Sequence, residues 1–224
     1  MNKVIAIDGP SGSGKSTMAR LLGQKLGFLH VDSGALYRIM TLAALHAGVD
    51  CNDEKAVAEL SGKVKVEFVP RDGKVAYLFE GKEPGEAIRT AEINANVSPV
   101  SKVPEVRTRM VALQRKIAEG HNVIMDGRDI GTHVLPNATL KIFLTASAEE
   151  RARRRCLELE QKGMPEPYEK VLEEMKARDY QDTHRAASPL RPADDAVFVD
   201  TSDLDLDQSV AEMKRLAVEA ISKL

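Results

Sequence analysis

Two rhythms of apolar residues run through the chain. Val4-Ile5-Ala6-Ile7 is a short, mostly β-branched run that stops at Asp8-Gly9, the pattern of a buried strand. Met18, Leu21, Leu22 and Leu26 then recur at helical spacing until Gly27. Phe28 to Val31 reads as a second strand. Asp32 or Ser33 offers an N-cap for a helix through Tyr37, Met40, Leu42 and Leu45 to Gly48. From 63 to 80 the period drops to two, with Val64, Val66 and Phe68 before Arg71-Asp72-Gly73 and Val75, Tyr77 and Phe79 after it. Asp-Gly between alternating runs predicts a β-hairpin. A helix over 104–119 follows, ended by Gly120. Val123–Asp126 and Leu140–Leu144 read as further buried strands and Ala196–Val199 as a fifth strand, and helices are expected over 148–161, 168–185 and 207–223.

Five short strands interleaved with helices predict an α/β fold, an open parallel five-stranded sheet with helices on both faces. The hairpin breaks that pattern. Residues from about 63 to 95 are therefore expected to form a small inserted antiparallel β subdomain within a single unit, 1–224, whose core is 1–62 and 96–224.

Composition narrows the classes. A hydrophobic fraction of 43% over 224 residues is enough for a sizeable core. A net charge of -2 argues against a protein that coats a polyanion, and 4% aromatics without Trp leave little for stacking single-stranded bases. Nucleic acid is not an expected partner. Cys51 and Cys156 form no Cys-x-x-Cys pair, so a disulfide framework or a cysteine-rich zinc site is not expected and a reducing compartment is. The early apolar run Val4–Ile7 is too short for a signal core or a membrane span, so a cytoplasmic protein without membrane contact is expected.

The candidate chemistry begins at Gly9-Pro10-Ser11-Gly12-Ser13-Gly14-Lys15-Ser16, which fits the phosphate-loop motif G-x-x-x-x-G-K-S/T at every fixed position, with a strand before it and a helix after it. Glycines let successive backbone N–H groups turn inward to phosphate oxygens, and the positive end of the following helix adds to the field. Lys15 sets a cation against the outer phosphates, and the Ser16 hydroxyl is a ligand for Mg2+. This makes the fold of the P-loop NTPase type, with ATP and Mg2+ as the expected ligand pair.

Other P-loop classes fit less well. No Asn-Lys-x-Asp guanine reader occurs, and Asp126-Gly127-Arg128-Asp129 is not followed by the Gln of a GTPase switch. Arginines at candidate site positions stand out instead. Arg178, Asp182 and Arg185 at i, i+4, i+7 fall within about 60° on one helix face, a spacing that suits a ribose and a phosphate and also an ordinary salt-bridged surface. Arg151, Arg153, Arg154 and Arg155 form a positive patch that a closing segment can bring to the phosphates, or a plain basic stripe. Asp126-Gly127-Arg128-Asp129-Ile130-Gly131 follows a buried strand, where functional groups of open α/β sheets gather, and Asp126 is placed like an acidic residue near Mg2+. A kinase for another small acceptor and a non-catalytic nucleotide sensor remain open on these residues alone.

At these residues the chain resembles the bacterial cytidylate kinase family. The resemblance runs in order through Ile7–Ser16, Asp32-Ser33-Gly34-Ala35-Leu36-Tyr37-Arg38, Asp126–Gly131 and Arg185-Ala186-Ala187-Ser188-Pro189-Leu190. It implies transfer of the ATP γ-phosphoryl group to CMP or dCMP by a monomer. It also implies that Gly9, Pro10, Ser11, Gly12, Ser13, Gly14, Lys15, Ser16 and Thr17 bind ATP, with Ser16 and Asp126 at the metal. Arg38, Arg128 and Arg185 are implied ligands of the acceptor phosphate. Ser98, Arg107 and Asp129 are implied readers of cytosine, and Arg178 and Asp182 implied contacts to the sugar, with Ser33 in the same acceptor set. Lys15, Arg128, Asp129 and Arg185 are the implied catalytic group. Residues 149–163, bearing the four arginines from Arg151 to Arg155, are the implied lid, and the insert enlarges the acceptor-binding part.

Overall fold

A computed structural model describes residues 2–223. The first strand, β1 (Val4–Asp8), runs into the phosphate loop and then α1 (Lys15–Leu26). Gly14 caps α1 at φ 86°, a left-handed value that a side chain would strain. Gly9 passes so close to β6 (Leu140–Thr145) that a Cβ there would sit 2.0 Å from the Leu144 carbonyl oxygen. The motif glycines thus meet two separate demands, a backbone twist and a close approach.

After β2 (Leu29–Asp32), the Asp32 side chain accepts from Ala35 N–H at 3.1 Å and starts α2 (Ser33–His46). Then come α3 (Glu54–Ser61), the hairpin β3 (Val66–Arg71) and β4 (Lys74–Phe79), a 3-10 turn at Gly85–Arg89, α4 (Ala91–Lys102) and α5 (Pro104–Ala118). β5 (Val123–Gly127) leads into a π-helical turn at Ile130–Val134 and on to β6. α6 (Ala148–Gln161), α7 (Tyr168–His184), β7 (Val197–Asp200) and α8 (Leu206–Ser222) complete the chain.

The sheet has seven strands in the order β3-β4-β2-β5-β1-β6-β7, against the five expected. The five expected strands all pair in parallel, and among the described strands only the β3–β4 pair is antiparallel. The other two are the hairpin, which does not form a sheet of its own. β4 joins the edge of β2, His30 pairing with Lys74 and donating its backbone N–H to the Gly73 carbonyl at 2.9 Å. An open edge strand leaves backbone groups to be paired, and the hairpin pairs some of them.

Sequence periodicity missed α3 and α4. The first is short, and the second carries Pro99 and two asparagines, poor helix formers. Residue 95, the expected end of the insert, lies inside α4. The helix expected to reach Arg185 ends at His184, and Arg185 is extended at φ -65°, ψ 142°.

Alternation along β1 divides the core. Ile5 and Ile7 pack with Ile124 and Ile142 under α1 and α8. Ala6 packs with Val31, Val123 and Met125 under α2, α4 and α5. A small third cluster of Ala152, Val171 and Met175 joins α6 to α7. The two layers leave the C-terminal ends of β1, β2 and β5 opening onto one crevice.

Candidate active site

A cavity of about 280 Å³ sits over those strand ends. The phosphate loop lines one side through Ser11, Gly12, Gly14, Lys15, Ser16 and Thr17. Lys15, Arg38, Arg89, Arg107, Arg128, Arg178 and Arg185 surround it with Asp32, Asp126, Asp129 and Asp182, seven cations against four carboxylates. In a chain of net charge -2 that excess of positive charge is a local construction.

Lys15 is 6% exposed, and its Nζ donates to the Pro10 carbonyl at 2.6 Å and to Ser13 Oγ at 3.3 Å. Burial, followed by the Arg128 charge, pulls the ammonium well below the ordinary lysine value, with Asp126, Asp182 and Asp8 opposing. Ser16 Oγ, in the first turn of α1, donates to Asp126 Oδ2 at 2.5 Å. Ser33 Oγ donates to the Asp126 carbonyl at 2.6 Å. Below them Asp8 accepts from the N–H groups of Ile130 and Gly131 at 2.8 Å each and so positions the turn after β5.

The arginines are fixed by separate partners. Arg38 donates to Asn94 Oδ1 at 2.7 Å and to the Ile88 carbonyl at 3.1 Å, which ties α2 to the segment after the hairpin. Arg107, from α5, lies over the Tyr37 ring at 5.5 Å and pairs with Asp129, both nearly sealed from solvent. Arg128 Nε donates to Asp182 Oδ2 at 2.7 Å. Burial resists ionisation of Asp182, but the charge and hydrogen bond of Arg128, with Arg178 and Arg185, outweigh it and hold the carboxyl below its ordinary value. Arg185 has left the helix, yet its Nε is anchored on the Ser188 carbonyl at 2.8 Å and its guanidinium still lines the cavity.

Burial lowers Arg38 and Arg185 from the usual arginine value, and burial with the neighbouring Arg128 charge brings Arg178 down to about 10. Arg107 Nε, Arg178 Nε and Arg185 Nη2 are buried without a hydrogen-bond acceptor. Crowded, desolvated guanidiniums with free donors are a site for a bound polyanion.

Every residue expected in the acceptor set lines this cavity, namely Ser33, Arg38, Ser98, Arg107, Arg128, Asp129, Arg178, Asp182 and Arg185. Gly9, Pro10 and Ser13 lie outside its lining, as do the four arginines from Arg151 to Arg155. Arg151 is buried. It donates to the Ser11 carbonyl at 2.8 Å, donates to the Ala146 carbonyl at 2.9 Å and pairs with Asp179 at 2.8 Å. Asp179 also accepts from the Ser11 N–H at 3.3 Å, so both backbone groups of Ser11 are held from α6 and α7. Arg154 bonds the Thr201 carbonyl at 2.6 Å, whereas Arg153 and Arg155 form outer ion pairs with Glu150 and Glu158.

Sequence reasoning marked Asp32 only as a helix cap, and marked no role in the site for Asp8, His30, Tyr37, Arg89 or Asp179. Asp32 and Tyr37 lie inside a quoted motif and were within reach. Nothing local marks Arg89 or Asp179.

A phosphate loop facing a cluster of arginines across one cavity, at the strand ends of a parallel sheet, defines a P-loop kinase. A family model described as Cytidylate kinase matches residues 5–219. The chain belongs to the cytidylate kinase family. It is 45% identical over 222 residues to a protein named Cytidylate kinase from Caldicellulosiruptor bescii, covering 99% of this chain and 98% of that one. To the protein of that name from Exiguobacterium sp. it is 47% identical over 216 residues, 96% of each chain. In fold alone it resembles a solved structure of an uncharacterized protein from Eubacterium ventriosum, at TM-score 0.52 and 13% identity over the whole of both chains.

Proposed function

We propose that this chain transfers the γ-phosphoryl group of ATP directly, in line, to CMP or dCMP, giving ADP and CDP or dCDP. The observation that carries the reading is the placement of Arg38, Arg107, Arg128, Arg178 and Arg185 with Asp129 and Asp182 across from Lys15 and the phosphate loop. Arg38, Arg128 and Arg185 hold the acceptor phosphate. That phosphate is the nucleophile and is already anionic at neutral pH, so no general base is needed. Positioning and charge neutralisation carry the catalysis.

Cytosine presents an N4 donor beside the N3 and O2 acceptors. Asp129 accepts from N4, while Arg107 and Ser98 donate to N3 and O2. Uracil sets a carbonyl against Asp129, and an unpaired buried polar group costs roughly 1–3 kcal/mol. Arg178 and Asp182 contact the sugar, which lets the deoxy acceptor bind.

Ser16 Oγ and Asp126 Oδ2, 2.5 Å apart beside the phosphate loop, are hard oxygen donors. Among the described residues no group of three or more His, Cys, Asp or Glu side chains is set to hold a metal. A two-donor site fits Mg2+, which keeps several waters and takes its remaining ligands from phosphate. When bound, the ion supplies neutralisation of phosphate charge.

Arg151 and Asp179 join the segment 149–163 to the phosphate loop, and this segment acts as the lid. The phosphate loop and every residue of the acceptor set come from this one chain, so a monomer suffices for the proposed transfer. Free Cys51 and Cys156 suit the reducing cytoplasm. Among the described residues no helix is long and apolar enough to cross a membrane.

A coupled assay of ADP release across CMP, dCMP, UMP and AMP tests the reading. CMP and dCMP are expected to turn over well and UMP at about 10- to 100-fold lower kcat/KM. Equal turnover of UMP or AMP overturns the acceptor assignment.

A further inference from the structure

Both oxygens of the Asp126 carboxylate are engaged. Oδ2 accepts from Ser16 Oγ, and Oδ1 meets Nε2 of His30 at 2.7 Å. A carboxylate offers only acceptors, so the imidazole carries its proton at Nε2. Three elements supply the three side chains, with Ser16 from α1, Asp126 from β5 and His30 from β2. His30 pairs in register with Ile124, two residues before Asp126, and the period of two puts both side chains on one face of the sheet. Gly23 of α1 lies beside His30 on that face. His30 is 9% exposed and Asp126 3%, and His30 is not among the residues lining the cavity. The imidazole therefore touches neither nucleotide and can act only through Asp126.

Asp126 needs such a hold. Its register partner on β2 is Asp32, a second carboxylate, and like charges on adjacent strands push apart. A donor on the far oxygen pins the carboxylate plane against that push. We propose that His30 is a positioning residue, whose Nε2–H fixes Asp126 so that Oδ2 and Ser16 Oγ together face the divalent cation carried by the nucleotide. The inference rests on the reading of Ser16 and Asp126 as the cation-holding pair. It adds a residue outside the cavity whose loss weakens the cation and not the acceptor.

The test compares His30→Met with His30→Gln. Both side chains are unbranched and similar in length, and only Gln ends in an N–H donor near the place of Nε2. Calorimetric titration with ADP, once in excess Mg2+ and once in excess EDTA, gives the Mg2+-dependent gain in affinity. His30→Met is expected to cut that gain about 10-fold or more, while ADP affinity in EDTA and CMP affinity stay within about twofold. His30→Gln is expected to recover most of it.

A gain unchanged in both variants overturns the proposal and leaves the cation reading standing. An equal loss with and without Mg2+ also overturns it, since packing alone does that. A wild-type protein with no Mg2+-dependent gain overturns the reading of Ser16 and Asp126 and this inference with it. Nitrogen NMR of the wild-type imidazole decides the matter if a variant fails to fold. Nε2 is expected to be protonated, with a resonance that moves in Asp126→Asn, and a ring protonated at Nδ1 alone overturns the proposal.

Discussion

Arg107 Nη2 is hydrogen-bonded to Asp129 Oδ2 as a buried ion pair, and Arg185 stands 3.6 Å from the other oxygen of the same carboxylate. One carboxylate therefore organises two arginines of the acceptor side. It sits just past the end of β5 at Gly127, at the start of the π-helical turn, so its position is set by the sheet.

Asp129→Asn tests what that carboxylate does. The variant keeps the shape and loses the charge, which leaves two buried guanidiniums less compensated. Breaking a buried pair costs about 3–5 kcal/mol, so the melting temperature is expected to fall. The ratio of kcat/KM for CMP over UMP is expected to drop about 10-fold or more, because the amide presents a donor as readily as an acceptor. KM for ATP is expected to change little. A retained ratio shows that the base is read elsewhere.

Lys15→Met separates catalysis from stability. Among the described residues no carboxylate lies within ion-pair distance of Lys15, and its burial penalises the charge. Removing it is expected to leave the melting temperature unchanged or higher. Removing a preorganised charge at the transferring group is expected to lower kcat by about 10²–10³. A large stability loss with intact turnover contradicts both halves of the argument.

Asp8 carries a pH signature of its own. Burial raises its carboxyl to about 6, against the two backbone N–H bonds that favour the charge. The folded value lies above the ordinary value of 3.8, so the native state holds the extra proton between those limits. Stability from this group is full below that window and is lost as pH rises through it. Asp8→Asn does not titrate. Urea melts are expected to show the wild-type stability rising relative to this variant from pH 7 down to pH 4, by up to about 3 kcal/mol. A difference that stays flat over that range shows an ordinary carboxyl.

Arg151 and Arg153 make a contrast within one helix. Arg151 is buried and bonds Ser11 and Asp179, whereas Arg153 is exposed and reaches only Glu150. Arg151→Ala is expected to cost about 3 kcal/mol and to raise KM for ATP, since it frees the phosphate loop from α6. Arg153→Ala is expected to stay within about 0.5 kcal/mol of wild type. Equal effects on thermal melts and ATP kinetics count against a lid tied to the loop through Arg151.

The sequence alone determined the parts whose signal is local. β-branched runs, helical spacing and Asp72-Gly73 announce the five parallel strands, most of the helices and the hairpin, because each depends on neighbours a few residues away. The phosphate loop is legible for the same reason, since its glycines answer demands within one turn of backbone. Only the tertiary structure decided where the hairpin goes, that Arg151 is buried while Arg153 is not, and that His30 meets Asp126 across 96 residues. The strand order β4-β2-β5-β1-β6 sets His30 and Asp126 on one face, and the packing of α6 on the phosphate loop and α7 is what buries Arg151. Periodicity tells which way a side chain points from its own strand, and it carries no information about which strand lies alongside.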